Sequence, residues 1–99
     1  MIVRALSEKH AVSVILGIYD RGEVKKMQIM DFGPSINTID ALLKTLADEG
    51  IISMRDEMQG RRVFFISLTE KGKRIASILD TIRKEFPDLQ KLSGYSLYK

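Results

Sequence analysis

The apolar positions of this chain change period several times, and each change marks an element. Across residues 11–19, Ala11, Val14, Ile15, Ile18 and Tyr19 recur at three- and four-residue steps, the spacing of one helix face. Ser7 precedes them as an N-cap, Glu8 sits where the helix dipole favours a carboxylate, and Gly22 marks the stop. His10 falls in the first turn and reads as a surface or capping residue. The next piece, EVKKMQIMDF, is short. Val24 adds one rung to a small sheet, and KKMQIMDF makes about two helical turns, with Met27, Met30 and Phe32 toward the core and Ile29 at its margin. Ile36, Ile39, Leu42, Leu43 and Leu46 then share one face of a longer helix. Ser35 is its N-cap, and Gly50 is its left-handed stop, with Ile51 folding back on the helix end.

Beyond Ile51 the period falls to two. Residues 52–57 form a strand, Met58, Gln59 and Gly60 the turn, and residues 61–68 the returning strand. Val63, Phe65 and Ser67 alternate with Phe64, Ile66 and Leu68, so both faces of this strand are expected to be largely covered. Thr69 caps a last helix, Glu70 lies in its first turn, and Pro87 ends it. Ile75, Ile78, Leu79, Ile82 and Phe86 form its apolar stripe. Within it Ile75, Leu79, Ile82 and Phe86 alternate four- and three-residue steps, a heptad-like seam that a core-facing helix also produces. The stripe therefore reads as a subunit seam or as internal core. Leu89 and Leu92 extend the apolar character into the tail. The first six residues, broken by Arg4, read as an N-terminal strand or arm. The pattern amounts to an α+β domain over residues 1–86, followed by a segment, 87–99, that packs on its own domain or on a second copy.

Composition narrows the chemistry. At 99 residues with 44% hydrophobic positions the chain supports one core. It has no cysteine and one histidine, which excludes a disulfide framework, a thiolate metal site and a histidine-rich metal centre. No apolar run reaches the length of a membrane span, and MIVRALSEKH is too short and charged for a signal peptide, so a cytoplasmic location is expected. No carboxylate pair beside a nucleophile and no phosphate-cradling glycine loop is present, so neither an enzyme nor a bound cofactor is expected. A net charge of +3 and a pI near 9.3 suit a polyanionic partner.

A short helix, a turn containing Gly33 and a longer amphipathic helix make a helix-turn-helix arrangement. Opposite the apolar face of the longer helix lie Asn37, Ala41, Lys44, Thr45 and Asp48, with Thr38 at the edge and Ser35 at the start. Asparagine can bond adenine in a bidentate way, and Thr or Ala can touch a thymine methyl, so Ser35, Asn37, Thr38, Ala41, Lys44 and Thr45 are candidate base readers. The alternative is a solvated face with an Asp40–Lys44 pair. Residues 35–50 carry one lysine against three carboxylates, which attracts phosphate poorly. The cations lie elsewhere. Lys25 and Lys26 start the short helix, Arg55, Gln59, Arg61 and Arg62 gather around the hairpin turn, and Lys71 and Arg74 open the last helix. These are the candidate backbone contacts. Asp56 and Glu57 can pair with Arg61 or Arg62 across the hairpin, and a charged hairpin also guards a sheet edge against aggregation.

Two local signatures, LLKTLADEGII at 42–52 and LTEKGKRIA at 68–76, are separated by a strand, turn and strand. Over residues 7–82 this order resembles winged helix-turn-helix transcriptional regulators of the MarR and HxlR kind, in a compact form of archaeal type. The resemblance implies a three-helix core, a two- to three-stranded wing and a C-terminal helix. It implies a homodimer on double-stranded DNA, the helix over 35–49 in the major groove, and Arg61 and Arg62 in the wing. Ile75, Leu79, Ile82, Phe86, Leu89 and Leu92 are the candidate dimer contacts. The chain is shorter than a typical MarR protein, so no small-molecule effector is assigned. Met27, Met30 and Met54 are read as adaptable core filler rather than a cavity lining. A chromatin-like binder without sequence preference and a protein-interaction module are the alternatives.

Overall fold

The computed structural model describes residues 10–58 and 60–86. Arg4, Ser7, Glu8, Gln59, Pro87, Leu89 and Leu92 lie outside the described residues. The described elements run α1 (Ala11–Arg21), β1 (Glu23–Lys25), a 3-10 helix (Lys26–Phe32), α2 (Ile36–Asp48), β2 (Ile52–Met58), β3 (Arg62–Leu68) and α3 (Glu70–Glu85).

Helix α1 is the centre of the domain. Sequence periodicity gave it a single apolar face, yet Ser13, Leu16 and Gly17 are buried as well, because the helix is packed by α3, the sheet and the 3-10 helix. Tyr19, expected on the core face, is 37% exposed. The helix begins after His10, which stands at the cap position with φ 70° rather than inside the first turn. Gly17 is the tight point: a Cβ there would lie 2.4 Å from the Phe32 ring. One residue-turn away, the buried Ser13 hydroxyl donates to the Phe32 carbonyl. Together they seat the end of the 3-10 helix directly on α1.

The short helix corrects the expected side-chain facing. A 3-10 helix repeats every three residues, so Lys26, Ile29 and Phe32 fall on one face and Met27 and Met30 on the next. Ile29 is fully buried and Phe32 nearly so, whereas Met27 and Met30 are 55% and 42% exposed. Met54 is exposed too. The three methionines are therefore not core filler.

Helix α2 buries Ile39, Leu42, Leu43 and Leu46 as the pattern requires, but Ile36 is 58% exposed. It lies at the edge of the stripe in the first turn, beyond the reach of the core. Ser35 holds the cap position without a side-chain cap bond; its hydroxyl lies 3.3 Å from that of Thr38. The other end is a complete Schellman stop. Gly50, at φ 76°, donates its N–H to the Ala47 carbonyl (2.9 Å), and Ile51 donates to that of Leu46 (2.9 Å). Ile51 is fully buried.

The sheet is antiparallel, in the order β1-β3-β2. Val24 pairs with Ile66, and Ile66 with Met54; the second hairpin runs from Ile52 opposite Leu68 out to Met58 opposite Arg62. Coverage of both faces is confined to the root. Ile66 and Leu68 are buried, while Val63, Phe64 and Phe65 are only partly so. The three-residue β1 flanks β3 no further than Phe65, and the hairpin then projects past the core as a wing.

Thr69 caps α3, its hydroxyl accepting the Gly72 N–H at 3.0 Å. Gly72 and Ala76 are buried, and Ile75 and Leu79 pack partly against the core. Ile78 and Phe86 point outward, 63% and 59% exposed. At the far end Arg83 spans two helices: both terminal nitrogens reach the Asp20 carboxylate at 3.2 Å, and its Nε donates to Asp80 at 3.1 Å. Lys84 also pairs with Asp80, at 3.1 Å.

Two stability predictions follow from this packing. A Cβ on Gly72 would lie 2.0 Å from the Ile51 carbonyl oxygen, so α3 must shift to accept any side chain. Gly72→Ala should cost about 1–3 kcal/mol in urea unfolding despite its better helix propensity; an unchanged midpoint would mean that α3 does not sit this close. Hydrogen bonds from Arg83 and Lys84 hold the Asp80 carboxyl below its ordinary value. A group lowered on folding stabilises above its unfolded value, near pH 4, and loses that contribution as pH falls through the folded one. Asp80→Asn should therefore be destabilising at neutral pH, with the effect shrinking as pH falls below about 4, read by thermal melts across the acidic range.

Candidate nucleic-acid interface

The outer side of α2 stands as a ridge between two grooves. One groove, about 490 Å³, is lined by Ser35, Asn37, Thr38, Ala41 and Leu42, with His10 and Gly33 opposite. Four of the six candidate base readers thus share one surface. The other groove, about 340 Å³, runs along Asp40, Leu43, Lys44, Ala47 and Asp48, faced by Lys26, Met54 and Phe64. Thr45, partly buried, donates its hydroxyl to the Ala41 carbonyl at 3.1 Å, and the Thr38 hydroxyl donates to that of Ser35 at 3.0 Å. Both hydroxyls keep acceptor capacity, so outward they can receive a donor but not offer one. The Asn37 side chain makes no hydrogen bond among the described residues and is exposed, leaving both donor and acceptor open.

The charged residues are arranged differently from the expected intrahelical pairing. Lys44 pairs with Asp48 at 3.0 Å rather than with Asp40. Asp40 is taken by Lys26 at 2.5 Å, and the Lys26 ammonium also lies 5.6 Å from the Phe64 ring centroid. Lys26 therefore reaches both α2 and the wing. Its 3-10 phase, shared with Ile29 and Phe32, turns it toward α2 and the wing.

At the wing, Lys25, Lys26, Arg61 and Arg62 line a single groove of about 500 Å³, floored by Met27, Val63 and Phe64. It adjoins the groove beside α2, because Lys26 and Phe64 line both. Arg61 makes no ion pair among the described residues. Arg62 is paired with Asp56 at 3.1 Å, realising the cross-hairpin pairing expected from the sequence. Arg55 is not at the tip. It lies opposite Phe65, stacks on that ring at 4.5 Å and is held by Glu23 (3.0 Å) and Glu57, hydrogen bonds that raise its pKa further. Lys71 is likewise engaged, donating to the Glu49 carbonyl at the end of α2 at 2.7 Å. Arg74 is exposed on α3.

Two exposed apolar residues beside these surfaces were not singled out by sequence: Ile36 in the first turn of α2, and Met58 at the outer end of β2, 73% exposed. Periodicity assigned Ile36 to the core face because it sits on the stripe, though at its margin. Met58 carried no signal, since a single methionine next to a turn fits loop and strand alike. Among the described residues no group of three His, Cys, Asp or Glu side chains is placed to hold a metal ion, and no helix is long and apolar enough to cross a membrane.

Neither a protein-family model nor a curated protein matches the sequence. Solved structures do match. A MarR-family transcriptional regulator from Porphyromonas gingivalis is 21% identical over 82% of this chain and 80% of its own, with a TM-score of 0.71. The transcriptional regulator ytfH from Salmonella typhimurium is 14% identical over 94% and 85%, with a TM-score of 0.76. Bacillus subtilis PadR, solved in complex with operator DNA, is 27% identical over 67% of this chain and 44% of its own, with a TM-score of 0.58. The fold is thus a winged helix-turn-helix, the architecture of MarR-type transcriptional regulators. Helix α2 is the second helix of the helix-turn-helix, and β2 and β3 form the wing.

Proposed function

We propose that this protein is a DNA-binding transcriptional regulator that reads sequence with α2 and acts as a homodimer. The observation that carries this reading is the placement of uncharged polar groups on one flank of α2 and of cations on the other. The start of α2 is exposed and uncharged and bears an open Asn37 amide, and the groove on the other flank of α2 adjoins one that gathers four cations, from β1, the 3-10 helix, the hairpin turn and β3. Base edges require the first and phosphates the second. That PadR was solved on operator DNA supports a duplex as the partner of this fold. Lys25, Arg61 and, once released from Asp56, Arg62 supply attraction; Asn37 and Ala41, with the acceptor oxygens of Ser35, Thr38 and Thr45, supply discrimination. The exposed Ile78 and Phe86 on α3, together with Ile82, are the apolar surface offered to a second copy. A cytoplasmic location accords with this role.

Selection of bound duplexes from a random pool should return a defined motif with two-fold symmetry, its half-sites one helical turn apart. Enrichment of no motif would leave a general binder, and failure to retain any duplex at low salt would remove DNA as the partner. The cations should separate by their partners. Arg61→Ala should weaken all duplexes alike and lower the slope of log K against log salt by about 1, while Arg55→Ala, already neutralised and away from the tip, should leave the slope unchanged. An unchanged slope for Arg61→Ala would take the wing out of the interface.

A further inference from the structure

The first turn of α2 carries a side chain that lies outside the core of the described residues. Ile36 is 58% exposed at the first helical position, while Ile39, Leu42, Leu43 and Leu46 fill the core side without it. Nothing local favours isoleucine there. Its N–H is among those without a helical partner, the helix dipole favours a carboxylate, and a β-branched chain is restricted at χ1. Its neighbours on the exposed arc, Asn37, Asp40 and Lys44, are polar or charged. It lines neither groove flanking α2. An exposed apolar side chain at this end of the helix is available to an apolar group on the partner.

Resting on the reading that α2 lies in the major groove, we propose that Ile36 reads a thymine methyl group. In helix-turn-helix docking the N-terminal residues of the recognition helix reach the base edges. The C5 methyl of thymine is the apolar group that the four base pairs display in that groove. Against any other edge, Ile36 would strip water from a donor or acceptor and return no hydrogen bond. It therefore both favours thymine and penalises its competitors. Asn37 follows by one 100° step, so the two side chains project from the same end of the helix toward different parts of the partner. The half-site is predicted to hold A·T pairs, one read at the adenine edge by Asn37 and one at the thymine methyl by Ile36.

Replacing thymine by deoxyuridine removes the methyl and leaves every hydrogen-bonding group in place. In the selected duplex, each thymine is replaced in turn and affinity is measured for the wild-type protein and for Ile36→Ser. Wild type should lose about fourfold at one position, the equivalent of ~0.8 kcal/mol for one buried methyl-sized group. Ile36→Ser should show no loss on methyl removal at that position, and its circular dichroism should match wild type because the site is exposed. The assignment is overturned if wild type tolerates every replacement, or if Ile36→Ser keeps the same sensitivity. Sequence-selective binding without methyl dependence would sink this assignment and leave the regulator reading standing. No binding to any duplex would sink both.

Discussion

The structure hangs on the junction at the C-terminal end of α2. The Schellman turn at Gly50 drives Ile51 into the core, and the Ile51 carbonyl then accepts the Thr69 N–H at 3.0 Å. The Thr69 hydroxyl lies 2.6 Å from the Gly50 carbonyl, Lys71 donates to the Glu49 carbonyl, and Gly72 passes too close to Ile51 to carry a side chain. Three elements meet here: the end of α2, the start of the wing and the start of α3. Their carbonyls and N–H groups satisfy one another, so none can turn without orphaning a partially buried polar group. The angle between helix and wing is set at this point. It also explains why 42–52 and 68–76 are the telling stretches of the sequence: they are the two halves of a single junction.

Charge on the outer surface is mostly self-paired. Lys26 with Asp40, Lys44 with Asp48, Arg55 with Glu23 and Glu57, and Arg62 with Asp56 are exposed or partly exposed pairs, each weak on its own in water. Such pairs order long side chains without committing much free energy. Lys26 has a second effect, because contact with Asp40 on α2 and with Phe64 on β3 couples helix and wing away from the junction residues themselves.

Much of this was legible in the chain. Apolar spacing located α1, α2 and α3, the alternation in 61–68 located β3, Val24 was placed in the sheet, and the glycine stop with Ile51 folded under it was read correctly. What escaped was phase and neighbourhood. Met27 and Met30 were placed inward because helical spacing was taken as that of an α-helix; a three-residue repeat exchanges them with Ile29. Ser13 and Gly17 look polar or neutral on a helical wheel, yet both are buried where Phe32 lies on α1. Ion-pair partners were misassigned within α2 because the competing cation, Lys26, arrives from another element.

Sequence by itself therefore determined the order of the elements, their stops and the winged-helix class, since these depend on interactions within a few residues: period, caps and left-handed turns. It also named the polar face of α2 and the arginines of the wing. Only the tertiary structure decided which of those groups are uncommitted. Asn37 and Arg61 make no side-chain pair among the described residues, Arg55 and Lys71 are engaged, and Ile36 is left outside the core, because each outcome depends on which side chain from a distant element arrives first. Availability is a property of packing, and spacing along one helix cannot report it.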